Sequence, residues 1–186
     1  MYPATSKEQI ILELNLNKFS MEGHKAWFRY MAVMGLDTYL ISIPCAYHVK
    51  GYPYFGYMSG AYTSEEIKEI TAYAQLFGIE VIPCVQLLSH LNRFLQWYAA
   101  EDLRDTERTL LVQSEKTYAF IEACVKTLAE SFASDKIHIG MDEAYDLGTG
   151  RYKDIHGTEG DQDELFFEHL QKVIKIVKKH FNTVMM

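Results

Sequence analysis

One stretch limits what this chain can become: Lys136-Ile-His-Ile-Gly-Met-Asp-Glu-Ala-Tyr-Asp146, followed by the Gly-rich segment Leu147 to Gly150. The apolar run Lys136 to Met141 lies between helical patterns, so it reads as a parallel strand covered on both faces. It stops at two adjacent carboxylates, Asp142 and Glu143. In α/β sheets the ligand pocket lies at the carboxyl ends of the strands, where this pair falls. Consecutive strand residues point to opposite sides, so the two acids share one face only if the strand has already ended. Placed side by side, one carboxylate favours protonation of the other, which suits a general acid. A solvated loop or an acid pair at a helix N-terminus fits the bare pair equally well.

The rest of the chain alternates. Residues 10 to 16 predict a first strand, and a helix follows from the candidate N-cap Ser20 to Met34, with Gly35 as its stop. Asp37 to Ile43 predicts a second strand, ended by Pro44. Thr63-Ser-Glu-Glu66 is a capping box, opening a helix to about Phe77. Ile79 to Val85 predicts a third strand and delivers Gln86, Ser89 and His90 into the loop beyond. Residues 91 to 100 look helical, 101 to 113 form a charged connection, and a long helix spans about Ser114 to Phe132. The fourth strand follows, then an amphipathic helix over about Asp161 to His180, and Thr183 to Met186 begins a fifth strand. Strands alternating with helices imply parallel pairing through right-handed crossovers. The fold class is α/β, with four parallel strands each followed by a helix and the start of a fifth strand, in one domain over residues 1–186.

Composition removes several classes. At 186 residues, 48% hydrophobic and 13% aromatic, the chain can bury a sizeable core. A formal net charge of −7, with no basic cluster beyond Lys178-Lys179-His180, argues against nucleic-acid binding. No apolar run approaches a membrane span. Met1 to Glu13 lacks a signal-peptide pattern, which predicts a cytoplasmic location. Cys45, Cys84 and Cys124 are widely spaced and form no C-x-x-C pair, so they read as buried free thiols. No H-x-H or H-E-x-x-H spacing is present, and no metal or other cofactor is expected. A metal-dependent hydrolase using Asp142, Glu143, His90 and His138 is a lesser reading. The aromatic segment Pro44 to Tyr62 fits either a cleft wall or a loop packed on its own domain.

His138-Ile-Gly-Met-Asp-Glu143 resembles the strand-four signature of family 20 glycoside hydrolases, the β-N-acetylhexosaminidases. Tyr54-Phe-Gly-Tyr57, Ile82-Pro-Cys-Val-Gln86 with Ser-His90 after it, and Phe181 to Met186 extend the resemblance over most of the chain. It implies a (β/α)8 barrel of which this chain holds the first half. It also implies substrate-assisted retaining catalysis, an exception among glycosidases in needing no carboxylate nucleophile. Glu143 would then be the general acid/base and Asp142 would hold the acetamido group, with His90 a supporting residue beside the substrate and His138 behind the cleft; Tyr145, two residues past the pair, lies close enough in sequence to touch the substrate, although the strand pattern does not aim it. The implied ligand is a terminal N-acetylhexosamine on a glycan or glycoside. Two departures stand out: Leu14-Asn-Leu-Asn-Lys18 lacks the arginine expected after strand one, and the acids expected after strand two are replaced around Ile43-Pro-Cys-Ala46. A half-barrel also leaves two open edges, which a second copy or a C-terminal half-barrel would cover. The alternative function is a non-catalytic half-barrel in carbohydrate binding or self-assembly.

Overall fold

The computed structural model describes residues 11–15 and 18–186. Five parallel strands pair in chain order: β1 (Ile11–Asn15), β2 (Thr38–Ser42), β3 (Glu80–Cys84), β4 (Lys136–His138) and β5 (Thr183–Met185). The helices between them are α1 (Met21–Met34), α2 (Ser64–Gln75), α3 (Asn92–Leu95), α4 (Glu115–Ser131), α5 (Arg151–His156) and α6 (Gln162–Val177). A 3-10 segment, Tyr98–Leu103, follows α3. This is the expected α/β half-barrel, with β1 and β5 as edge strands. The two ends of the expected first strand, residues 10 and 16, lie outside the described residues.

The helix boundaries follow local chemistry. Ser20 Oγ accepts from the Gly23 amide, and Gly35 ends α1 at φ 76°, a left-handed turn that glycine adopts without a Cβ penalty. At α2 the capping box is complete, the Glu66 amide donating to Thr63 Oγ1 at 3.1 Å and the Thr63 amide to Glu66 at 2.9 Å. Helices α1 and α2, α2 and α4, and α4 and α6 pack in succession around the outside of the sheet.

Strand periodicity sorts the side chains between two faces. Tyr39, Ile41, Val81, Ile137 and Val184 pack into the main core under the helices. Leu40, Ile82 and Cys84, with Met185 against them, form a second small cluster on the opposite, inner face. Ser42, Cys84 and His138 share the parity of that inner set, and the pairings Ser42↔Cys84 and Cys84↔His138 put them at one level. A row of small and polar groups thus lies at the carboxyl end of the inner face. All three cysteines are buried and none is in a disulfide, as expected. Among the described residues no helix is long and apolar enough to cross a membrane.

Several segments depart from the sequence expectation. β4 ends at His138 rather than Met141, because Gly140 and Met141 both take left-handed backbone, φ 67° and 82°. The Gly-rich stretch after the acid pair leads into α5, which the sequence pattern did not mark. Only Asn92–Leu95 of residues 91 to 100 is α-helical, and α6 stops at Val177. The aromatic segment divides between its two readings. Tyr47, Phe55 and Tyr62 are buried, while Tyr54 and Tyr57 are exposed.

His169 on α6 is fully buried, with Nε2 2.9 Å from the Leu87 carbonyl. It therefore ties the outer helix layer to the loop that follows β3. Burial pushes its imidazole down from 6.5 to about 4. Unfolded, it takes a proton near 6.5; folded, only near 4. Its effect on stability is therefore nil above 6.5, and stability falls as the pH drops from about 6.5 to about 4, by on the order of 3 kcal/mol in full. Urea unfolding of the chain and of His169→Gln at several pH values checks this, the expected result being a shallower acid-side loss in the variant.

Candidate active site

The inner face opens into a cavity of about 790 Å³ above β2, β3 and β4. Its floor includes Ser42, Cys84 and His138, and one wall carries Gln86, His90, Asp142 and Glu143.

The acid pair reaches this cavity because β4 has ended. Gly140 turns the chain, and the Gln86 side chain lies where any Cβ on residue 140 would be: Gln86 Oε1 is 2.4 Å and the Val85 carbonyl 2.5 Å from that position. From this place the Gln86 amide holds both sides of the turn. Its Oε1 accepts from the Met141 amide at 3.0 Å, and its Nε2 donates to Asp142 Oδ1 at 2.8 Å. That hydrogen bond, the larger cause, holds the Asp142 carboxyl below its ordinary range against a modest opposing effect of burial. Asp142 is thus fixed as an ion. The His138 ring, half-buried on the floor, accepts the Gly140 amide at Nδ1, 3.2 Å away.

Left-handed backbone at Glu143, φ 54°, brings the second carboxylate around to the same side. His90 Nε2 lies 3.5 Å from Asp142 Oδ2 and 3.4 Å from Glu143 Oε2. The histidine itself has φ 57°. Of the five non-glycine residues with positive φ among those described, His90, Met141 and Glu143 stand at this site. Such conformations cost about 1–3 kcal/mol each and persist only where the surroundings impose them. The two acids remain open to the cavity, with side chains 63% and 53% exposed.

The loops after β3 and β4 are locked together behind the pair. Asp146 accepts from Thr106 Oγ1 at 2.5 Å and Thr109 Oγ1 at 2.7 Å. Buried Asp105 accepts from the amides of Gly148 and Tyr152 at 2.7 and 2.8 Å. Arg108 spans the gap, donating to Ser89 Oγ at 3.3 Å and to the Glu143 carbonyl at 3.2 Å, with Nη2 also 3.3 Å from His90 Nδ1.

The structure therefore brings Asp142, Glu143 and His90 together. It does not bring Tyr145 to them: that ring is 74% exposed, and its carbonyl accepts from Gln162. Gln86 and Arg108 join the site without having been singled out as site residues. Gln86 was legible as a residue leaving β3, whereas Arg108 sits in the charged connection 101–113 with no motif around it. Ligand atoms of His90, Asp142 and Glu143 lie within 4.8 Å of one another, so these three could geometrically take a cation. Their present contacts are with one another and with Gln86 and Arg108.

Comparison with known proteins places this arrangement. A family profile described as glycosyl hydrolase family 20, catalytic domain, matches residues 46–186. The chain is 29% identical over 143 residues to hexosaminidase D of Bos taurus, covering 71% of this chain and 41% of that protein. It is 32% identical over 124 residues to hexosaminidase D of Homo sapiens, covering 63% and 26%. The fold superposes on a family 20 β-N-acetylhexosaminidase of Streptomyces coelicolor with a TM-score of 0.78 at 22% identity, over 95% of this chain and 38% of that one. A Streptomyces plicatus β-hexosaminidase variant, solved in complex with its product GlcNAc, gives a TM-score of 0.77 at 21% identity, over the same shares. The chain spans about two fifths or less of the length of these relatives. The profile covers most of the chain and takes in β3, β4 and both acids, and on that ground the chain belongs to glycosyl hydrolase family 20, carrying part of its catalytic domain.

Proposed function

We propose that this site removes terminal N-acetylhexosamine from glycosides by substrate-assisted retaining catalysis. The observation that supports it is the unequal treatment of two adjacent carboxylates converging on one histidine. Asp142 is pinned by Gln86 and held as an ion. Glu143 faces the open cavity with its carboxyl toward His90 Nε2.

A charged, fixed Asp142 suits the task of accepting the acetamido N–H and stabilising the positive oxazolinium that forms as the acetamido oxygen attacks the anomeric carbon. Glu143, one residue on and free to reach the cavity, donates its proton to the leaving oxygen and then takes one from the water that opens the intermediate. No carboxylate nucleophile is required, so the two acids need not flank the sugar. His90 stands between them as a donor to either.

Barrels of this kind close with eight strands, and β1 to β5 leave the inner face open. We infer that turnover requires further strands against the β1 and β5 edges, supplied by the same polypeptide or by a second one. Catalysis rests on positioning, and half a cleft orients a sugar from one side only.

In the complete protein, Glu143→Gln is expected to lower kcat on a chromogenic N-acetyl-β-glucosaminide by about 100- to 10,000-fold with an unchanged thermal midpoint. Wild-type rates in that variant would contradict the assignment. Gly140→Ala acts on the turn rather than the acid. Its methyl displaces the Gln86 amide and strains φ 67°, so stability should fall by about 1–3 kcal/mol and kcat should fall with it. Thermal unfolding together with steady-state kinetics on that variant checks both.

A further inference from the structure

We propose that Arg108 is a positioning residue that locks His90 in the Nε2–H tautomer and so aims its single proton at the Asp142–Glu143 pair. The functional consequence rests on reading that pair as the catalytic acids; the tautomer itself does not.

A guanidinium has five N–H donors and no acceptor, and it stays charged in proteins. Arg108 Nη2 lies 3.3 Å from His90 Nδ1, so that nitrogen must offer its lone pair. The proton then resides on Nε2, which faces Asp142 Oδ2 and Glu143 Oε2. The opposite tautomer would set Nδ1–H against a guanidinium N–H and turn the Nε2 lone pair toward two carboxylates, unfavourable at both ends. A doubly protonated ring would set an N–H and a positive charge against the guanidinium.

The arginine is itself held. Its Nε donates to Ser89 Oγ, its Nη2 to the Glu143 carbonyl, and its amide to Thr106 Oγ1 at 3.3 Å, while its carbonyl accepts the Leu91 amide at 3.1 Å. The Thr106 and Thr109 hydroxyls on either side are anchored on Asp146. One side chain thus fixes the ring that ends the β3 loop and the carbonyl of the left-handed Glu143. A neutral His90 donates one hydrogen bond without neutralising either acid. An imidazolium in its place would favour two charged carboxylates, whereas a general acid must first carry a proton.

The test is long-range ¹H–¹⁵N correlation NMR of the 186-residue chain with ¹⁵N-labelled histidine, above the usual histidine range. The His90 signals are identified by their loss in His90→Asn. The expected pattern is a protonated Nε2 and a bare Nδ1 in the wild type, with a shifted Nδ1 signal and mixed tautomers in Arg108→Met. A proton on Nδ1 in the wild type, or unchanged His90 signals in a folded Arg108→Met, overturns the proposal. If Arg108→Met fails to fold, Arg108→Gln and the wild-type pattern decide. In the complete, active protein Arg108→Met should lower kcat about 10- to 100-fold with KM within about threefold, and Arg108→Lys should recover part of that loss. Full activity in Glu143→Gln would sink the reading of the acids while leaving the NMR result standing. A dead Glu143→Gln beside an Nδ1–H tautomer would sink the role of Arg108 alone.

Discussion

The Gln86 carboxamide, seated where residue 140 has no side chain, is the contact on which the site depends. It supports the Met141 amide with its oxygen and the Asp142 carboxylate with its nitrogen, at 3.0 and 2.8 Å. Any Cβ at residue 140 would occupy the same space. The end of β3 therefore dictates where β4 stops, and the stop frees two consecutive acids from strand alternation. Without it, period-two geometry would send one of them to the inner face and the other toward the helices.

Energetically the arrangement runs against local preference. Met141 and Glu143 take left-handed backbone, as does His90 beside them. What holds them is a set of hydrogen bonds between the loops after β3 and β4, made through Arg108, Asp105 and Asp146. Behind these loops lies a well-packed helical layer, with His169 reaching from α6 to the Leu87 carbonyl. A rigid shell around a strained turn is what a site needs when its chemistry depends on placement more than on an activated nucleophile.

Much of the scaffold could be read from residues in order. Ser20, Gly35 and the Thr63–Glu66 box announce helix ends through local hydrogen bonds, which neighbouring residues decide. The acid pair was legible for a similar reason, since carboxylates directly after an apolar run are costly to place anywhere but a strand end. The early end of β4 was not legible, because it depends on Gln86, more than fifty residues away in the chain. Arg108 was hidden for the same reason: Ser89 and His90 meet it only when the connection after β3 folds back on itself, and Glu143 only when the loop after β4 docks there. Tyr145 is two residues from Glu143 in sequence, yet its ring is exposed rather than turned to the acids. The aromatic segment 44–62 mixed both of its readings, with Tyr47, Phe55 and Tyr62 buried and Tyr54 and Tyr57 exposed against Trp97.

In the proposed mechanism Asp142 and Glu143 serve a reaction in which the substrate supplies its own nucleophile. The measurement that tests it most directly compares hydrolysis of an N-acetyl-β-glucosaminide and a β-glucoside with the same leaving group by the complete protein. Cleavage of the acetamido substrate with the plain glucoside untouched is the expected result, because only the former carries the attacking oxygen and the N–H that the proposed mechanism gives to Asp142. Comparable cleavage of both would contradict the account, since the glucoside offers the site nothing but the acid.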